Sequence, residues 1–214
     1  MNLRNAEWIF FDMGYTLVDE TGEQRRRARI AIDESVRNGS ERISIEEFER
    51  LALEFGRKGG SPFSDVCKKI GASYVKYSDE GESAYPDAAE VLSKLSSKYK
   101  LGVIANQLPG AADRLRRFGL SDHISLVFSS AEFGVGKPDK AIFLAALSAA
   151  GCAPERAVMV GDRPDNDVRP AHALGMMTVR IRQGQFIYFS PDDPSTHPDA
   201  EVTSLSELLP LFGL

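Results

Sequence analysis

The 214-residue chain has two cysteines, three histidines and one tryptophan, and these scarcities remove whole classes of function. Cys67 and Cys152 lie far apart without CxxC spacing or a nearby histidine, which excludes a disulfide scaffold and a zinc-ribbon site. His123, His172 and His197 are isolated from one another and are read as structural or exposed. Long apolar runs are also missing. Trp8 to Phe11 and Ala141 to Ala150 fall well short of the ~20 residues a membrane span needs, so no membrane association is expected. A surplus of positive charge is missing too: 26 Lys plus Arg stand against 31 Asp plus Glu, a net charge of -5. Non-specific nucleic-acid binding requires the opposite balance. The first residues carry one arginine, a short apolar stretch and then Asp12, not the apolar segment and small-residue cleavage site of a secretion signal, so the expected location is the cytoplasm.

What is present is an ordinary globular composition, 43% hydrophobic and 27% charged, long enough for one large domain or a domain with an insert. Glu7 to Met13 reads as a buried strand, because Trp8, Ile9, Phe10 and Phe11 form a continuous apolar run ending at a carboxylate and a glycine. Lys100 to Ala105, Ile124 to Ser129, Ala157 to Gly161 and Met177 to Ile181 share that pattern. Helical periodicity lies between them, over Asp87 to Lys98, Ala111 to Phe118, Lys140 to Ala150 and Asn166 to Leu174. Strands alternating with helices predict an α/β fold, a Rossmann-like parallel sheet with helices on both faces. Residues 18–84 break the alternation and read as an inserted all-helical domain, leaving 1–17 and 85–214 as the α/β core. Within the insert, Ser44-Ile45-Glu46-Glu47 is a capping box opening a helix that presents Ile45, Phe48, Leu51, Ala52 and Phe55 on one face and closes near Gly59-Gly60. The basic cluster Arg25, Arg26, Arg27 and Arg29 reads mainly as a solvated helix face, with Arg29 spaced to pair with Asp33. Ser190 to Pro198 reads as a surface loop before a last helix, Leu205 to Phe212.

Ligands of open α/β sheets bind beyond the carboxyl ends of the strands, so polar residues ending several strands should converge. Asp12-Met13-Gly14-Tyr15-Thr16 ends the first strand, Ala105-Asn106-Gln107 the second, and Gly161-Asp162 the fourth, with Asp167 five residues on. Lys137-Pro138 follows Gly134 and Gly136 just before a helix. Carboxylates from three places and one lysine suit a hard divalent cation and a phosphate. The segments "FFDMGYTLVD", "YPDAAEVLSKLSSKYKLGVIANQ", "GVGKPDKAIF" and "VMVGDRPDNDVRPAHALGM", in this order, resemble the haloacid dehalogenase-like hydrolase superfamily over nearly the whole chain.

That resemblance implies a Mg²⁺-dependent, phosphatase-like hydrolase of a small phosphorylated compound, with residues 18–84 as a mobile helical cap. It implies that Asp12 is a nucleophile forming an aspartyl phosphate and that Lys137 steadies it. By the same resemblance Asp12, Asp162 and the Gly14 carbonyl bind Mg²⁺ with Asp167 in support, and Asn106 contacts the phosphoryl group. Arg25 is the cap arginine singled out for substrate contact. Two positions depart from the family's phosphatases. Gly14 stands where they usually carry an Asp acting as general acid and base, and Ala105 where they usually carry Ser or Thr. A hydroxyl donated to a charged group is worth ~1.5 to 3 kcal/mol, and a positioned general acid roughly 10² to 10⁴ in rate, so the first loss dominates. Three readings therefore stand. The chain is a phosphatase without the usual acid; or it performs other chemistry, such as phosphonate hydrolysis through a Schiff base on Lys58, Lys68, Lys69 or Lys76; or it is a non-catalytic phosphate-binding or regulatory module.

Overall fold

The computed structural model describes residues 2–214, which divide into two compact units. The first unit comprises the chain up to Val18, Ala84–Gln183 and Asp192–Leu214; the second comprises Asp19–Ser83 and Gly184–Pro191. The first strand, β1 (Trp8–Phe11), is followed by β2 (Val18–Asp19), through which the chain leaves the first unit. Helices α1 (Thr21–Arg37), α2 (Ile45–Gly56) and α3 (Pro62–Ile70) follow, and the chain returns through β3 (Ser83–Ala84), which pairs with β2. The remaining elements are α4 (Ala88–Ser96), β4 (Lys100–Ala105), α5 (Ala111–Arg117), β5 (Leu126–Ser129), α6 (Ser130–Phe133), α7 (Lys140–Ala150), β6 (Ala157–Gly161), α8 (Arg169–His172), β7 (Met177–Ile181), β8 (Ala200–Val202) and α9 (Leu208–Phe212).

The six-stranded sheet of the first unit has the order β5-β4-β1-β6-β7-β8, and every neighbouring pair is parallel. β1 sits between β4 and β6, with Phe11 opposite Val103 on one side and Val160 on the other. Because strand side chains alternate faces, Ile9, Phe11, Leu101, Val103, Val158 and Val160 join Val91, Leu92 and Leu95 of α4 and Phe212 of α9 in one core. Trp8, Phe10, Ile104 and Met159 join Ile142, Phe143 and Ala146 of α7 in the other. Each such aromatic or branched side chain contributes ~1.5 to 3 kcal/mol on burial, and the two layers together clamp the ends of β1 and β6. Asp139 caps α7 by accepting the Ala141 N–H at 2.8 Å, and Gly151, at φ 58°, ends it. The edge strand β8 lies just beyond the Ser190–Pro198 stretch. The expected helix over Asn166 to Leu174 is replaced by a π-helical turn, Pro164–Val168, running into the short α8. No helix of the described residues is long and apolar enough to cross a membrane.

The second unit has its own core, built by Ala28, Ala31 and Ile32 of α1, Phe48, Leu51 and Ala52 of α2, and Phe63, Val66, Cys67 and Ile70 of α3. Ser44 caps α2 by accepting the Glu47 N–H at 3.1 Å, but Glu47 turns its carboxylate to Arg50 at 2.7 Å, so the capping box is half formed. The helix ends at Gly56, short of Gly59-Gly60. Of the basic cluster, Arg27 is not solvated: it is buried, lies 3.7 Å from the Phe63 ring centroid and donates to the Val75 carbonyl at 2.7 Å. Asp33 pairs with Arg42 at 2.7 Å, which replaces the expected partner Arg29. Gly184–Pro191 departs from its assignment by sequence position, because it groups with the helices. Arg57 lies 4.7 Å from the Tyr188 ring centroid, and the Phe189 ring fills the space beside Gly59 where a side chain would stand.

Candidate active site

The sheet order reverses direction at β1, with β4 and β5 on one side and β6, β7 and β8 on the other. Such a switch point leaves a crevice at the carboxyl ends of the strands. Asp12 follows β1 directly, its N–H donating to the Val160 carbonyl at 2.8 Å, so the backbone ladder itself fixes the residue beside β6. Asp162 follows β6, and Asp167 lies in the π-helical turn after it. One carboxylate oxygen from each of Asp12, Asp162 and Asp167 lies within 4.8 Å of the others. The Lys137 ammonium bridges two of them, at 2.7 Å from Asp12 Oδ1 and 2.6 Å from Asp167 Oδ1.

Burial separates the roles of these groups. The side chains of Lys137 and Asp167 are 2% and 1% exposed, while that of Asp12 keeps 13%, so Asp12 is the member of the bridge open to an incoming molecule. Burial would lower the Lys137 pKa, but the carboxylates of Asp12 and Asp167 outweigh it and hold the ammonium above its ordinary range. Asp162 is pushed well above the usual carboxylate range, first by burial and then by the charges of Asp167 and Asp12. Asp167 is pushed up to about 6 by burial, with Lys137 acting against the rise.

Local sequence explains how Asp167 reaches this position. Its carboxylate accepts the Arg163 N–H at 3.0 Å, and its side chain occupies the space where a Cβ on Gly161 would stand. Only a glycine at the end of β6 leaves that room. Arg163 is turned away by a two-bond pairing with Asp165, at 3.0 and 2.6 Å. This pairing was not anticipated, although an arginine two residues before an aspartate hints at it. Gly14 lies in the tight loop after Asp12, where the N–H groups of Leu17 and Val18 both donate to the Met13 carbonyl at 2.9 Å and Tyr15 takes a left-handed φ of 51°. Asn106 is present as well, with its carboxamide bonded to the Lys137 backbone at both the N–H and the carbonyl, each at 2.7 Å.

Asp12, Lys137, Asp162, Asp167 and Asn106 thus share one crevice. Arg25 lies on α1 of the second unit, its guanidinium 2.5 Å from the Glu49 carboxylate. Lys58, Lys68, Lys69 and Lys76 are all exposed. The cluster's donor set fits a hard divalent cation. All its ligands are oxygens, and three carboxylates face one ammonium, an excess of negative charge that a cation of Mg²⁺ type relieves.

The comparisons with known proteins agree with this geometry. The sequence profile of the haloacid dehalogenase-like hydrolases matches residues 7–175. A glyceraldehyde 3-phosphate phosphatase of Methanopyrus kandleri is 32% identical over 94% of both chains. A phosphoserine phosphatase of Thermus thermophilus is 40% identical over 58% of this chain and 49% of its own length. Among solved structures, a haloacid dehalogenase-superfamily phosphatase of Thermococcus onnurineus is 28% identical with a TM-score of 0.68, covering 97% of this chain and 98% of that one. A magnesium-bound hydrolase of the same superfamily from Bacillus subtilis, at 19% identity and TM-score 0.73 over 98% of this chain and 99% of its own, shares the fold. Its sheet order, its strand-end carboxylates and these relatives place the chain in the haloacid dehalogenase-like hydrolase family, as an enzyme.

Proposed function

We propose that the protein is a Mg²⁺-dependent phosphatase acting on a small phosphorylated metabolite through an aspartyl-phosphate intermediate at Asp12. The observation that carries this reading is the partly exposed Asp12 carboxylate, held by a buried Lys137 beside two further buried aspartates. Asp12, Asp162 and the Gly14 carbonyl would hold the cation with Asp167 in support; when bound, the cation supplies positive charge that offsets the phosphoryl oxygens.

The residues of the chain account for the rest. Lys137 adds a second positive charge beside the Asp12 oxygen it holds, which favours a phosphoryl dianion in the crevice. Asp12 attacks phosphorus, a new O–P bond forms and the bond to the leaving oxygen breaks. Water then attacks the acyl phosphate, which restores the Asp12 carboxylate and releases inorganic phosphate. Gly14 offers no side chain to protonate the leaving oxygen or to deprotonate that water. The leaving group therefore takes its proton from solvent, and substrates with good leaving groups, acyl phosphates above all, turn over fastest. The names of the relatives put triose phosphates and phosphoserine in the first panel to be tried.

A panel of acyl phosphates, sugar and triose phosphates, phosphoserine and phosphonates, assayed with and without MgCl₂, tests the reading. Phosphate release that requires Mg²⁺ and is abolished in Asp12→Asn is the expected outcome. Mg²⁺-dependent ligand binding with no release from any compound would instead favour a binding module.

A further inference from the structure

Lys137 stands in a stretch with little of its own to hold it. Residues 131 to 135 are exposed, Gly134 has a φ of 87°, and Pro138 and Asp139 are exposed again, yet the Lys137 side chain must reach two carboxylates through a flexible stem. Both peptide groups of Lys137 are bonded by one side chain, that of Asn106, thirty-one positions earlier at the end of β4. The lysine N–H can only donate and its carbonyl can only accept, so the carboxamide orientation is fixed by its partners. The same contact explains Gly136. A Cβ there would come within 2.5 Å of Asn106 Oδ1 and 2.9 Å of the Ser130 Cβ, so a side chain at position 136 displaces the carboxamide. Ser130 extends the junction by accepting the Gln107 N–H at 3.1 Å.

We propose that Asn106 is a positioning residue, a two-point clamp that sets the Lys137 backbone so that its ammonium bridges Asp12 and Asp167, and that Gly136 is glycine to admit it. The consequence for catalysis rests on the phosphatase reading above; the clamp itself does not. It replaces the expectation that Asn106 acts by contacting the phosphoryl group.

The test compares Asn106→Leu with Gly136→Ala, which removes no polar group and should act in the same direction. Two readouts are taken: kcat and KM on the best substrate of the panel, and the nuclear magnetic resonance signal of isotope-labelled lysine Nζ, with Lys137→Met assigning the Lys137 peak. A buried, ion-paired ammonium exchanges its protons slowly and gives a signal that a loosened one loses. Both variants are expected to broaden or shift the Lys137 signal and to lower kcat roughly 10- to 100-fold while KM stays nearly constant. An unchanged Lys137 signal in both variants overturns the clamp. So does a rise in KM at constant kcat in Asn106→Leu, the mark of a substrate contact. If the wild-type protein releases phosphate from nothing, the phosphatase reading fails while the lysine signal still decides the clamp.

Discussion

At the scale of single residues, the site depends on who is small as much as on who is charged. Asp167 occupies the space beside Gly161, so Gly161→Ala should push its carboxylate away from Lys137 and out of the oxygen cluster. The expected result is a 10- to 100-fold weaker Mg²⁺ affinity by calorimetry, roughly the cost of disturbing a ligand's support, with the fold retained. Unaltered affinity would mean that Asp167 does not support the cation. On the proposed phosphatase reading, Gly14 leaves the site without a general acid at that position. Introducing a carboxyl group with Gly14→Asp is expected to speed hydrolysis of poor leaving groups by about tenfold or more, within the range of a general acid, and to help acyl phosphates least. Equal or lower turnover on alkyl phosphates would show that the crevice has been adapted to chemistry needing no acid at that place. The charged members were legible in the sequence because strand-end carboxylates and a lone lysine before a helix stand out from an apolar background. The Asn106 contact was not, because it joins positions far apart in the chain and depends on the missing side chain of Gly136.

At the scale of elements, α1 shows how a buried charge is made tolerable. Glu23 is fully buried, and its carboxylate receives Arg26 at 2.7 Å and the Ser78 N–H at 2.8 Å. Burial would raise its pKa, but these partners outweigh burial and hold it below the ordinary value of 4.5. A carboxyl group depressed on folding contributes stability that is present above its unfolded pKa and is lost as pH falls through its folded one. Thermal melts should therefore show an acid-sensitive loss below about pH 4.5 that Glu23→Gln removes, at a cost of ~1 to 3 kcal/mol near neutrality. Identical acid profiles for the two proteins would assign the acid sensitivity elsewhere. Which arginine pairs with which acid was less legible. Helical spacing favoured Arg29 with Asp33, but Arg42 from the following loop reaches Asp33, and burial among Phe63, Tyr74 and Tyr77 takes Arg27 out of the solvated face.

At the scale of the whole molecule, the parallel sheet was readable because strands covered on both faces are continuous apolar runs, as in Trp8–Phe11 and Ala157–Gly161. β8 escaped notice because it is three residues long at an edge, with only Val202 buried. The grouping of Gly184–Pro191 with the helices escaped because it rests on tertiary contacts of Phe189 and Tyr188 that no local periodicity announces. The central claim, that Asp12 accepts a phosphoryl group, is tested most directly by intact-protein mass spectrometry after incubation with acetyl phosphate. The account predicts one phosphoryl adduct, mapped by peptide analysis to Asp12, formed only with MgCl₂ and absent from Asp12→Asn. An adduct that persists in Asp12→Asn, or no adduct and no acetyl phosphate consumption at any Mg²⁺ concentration, would contradict it.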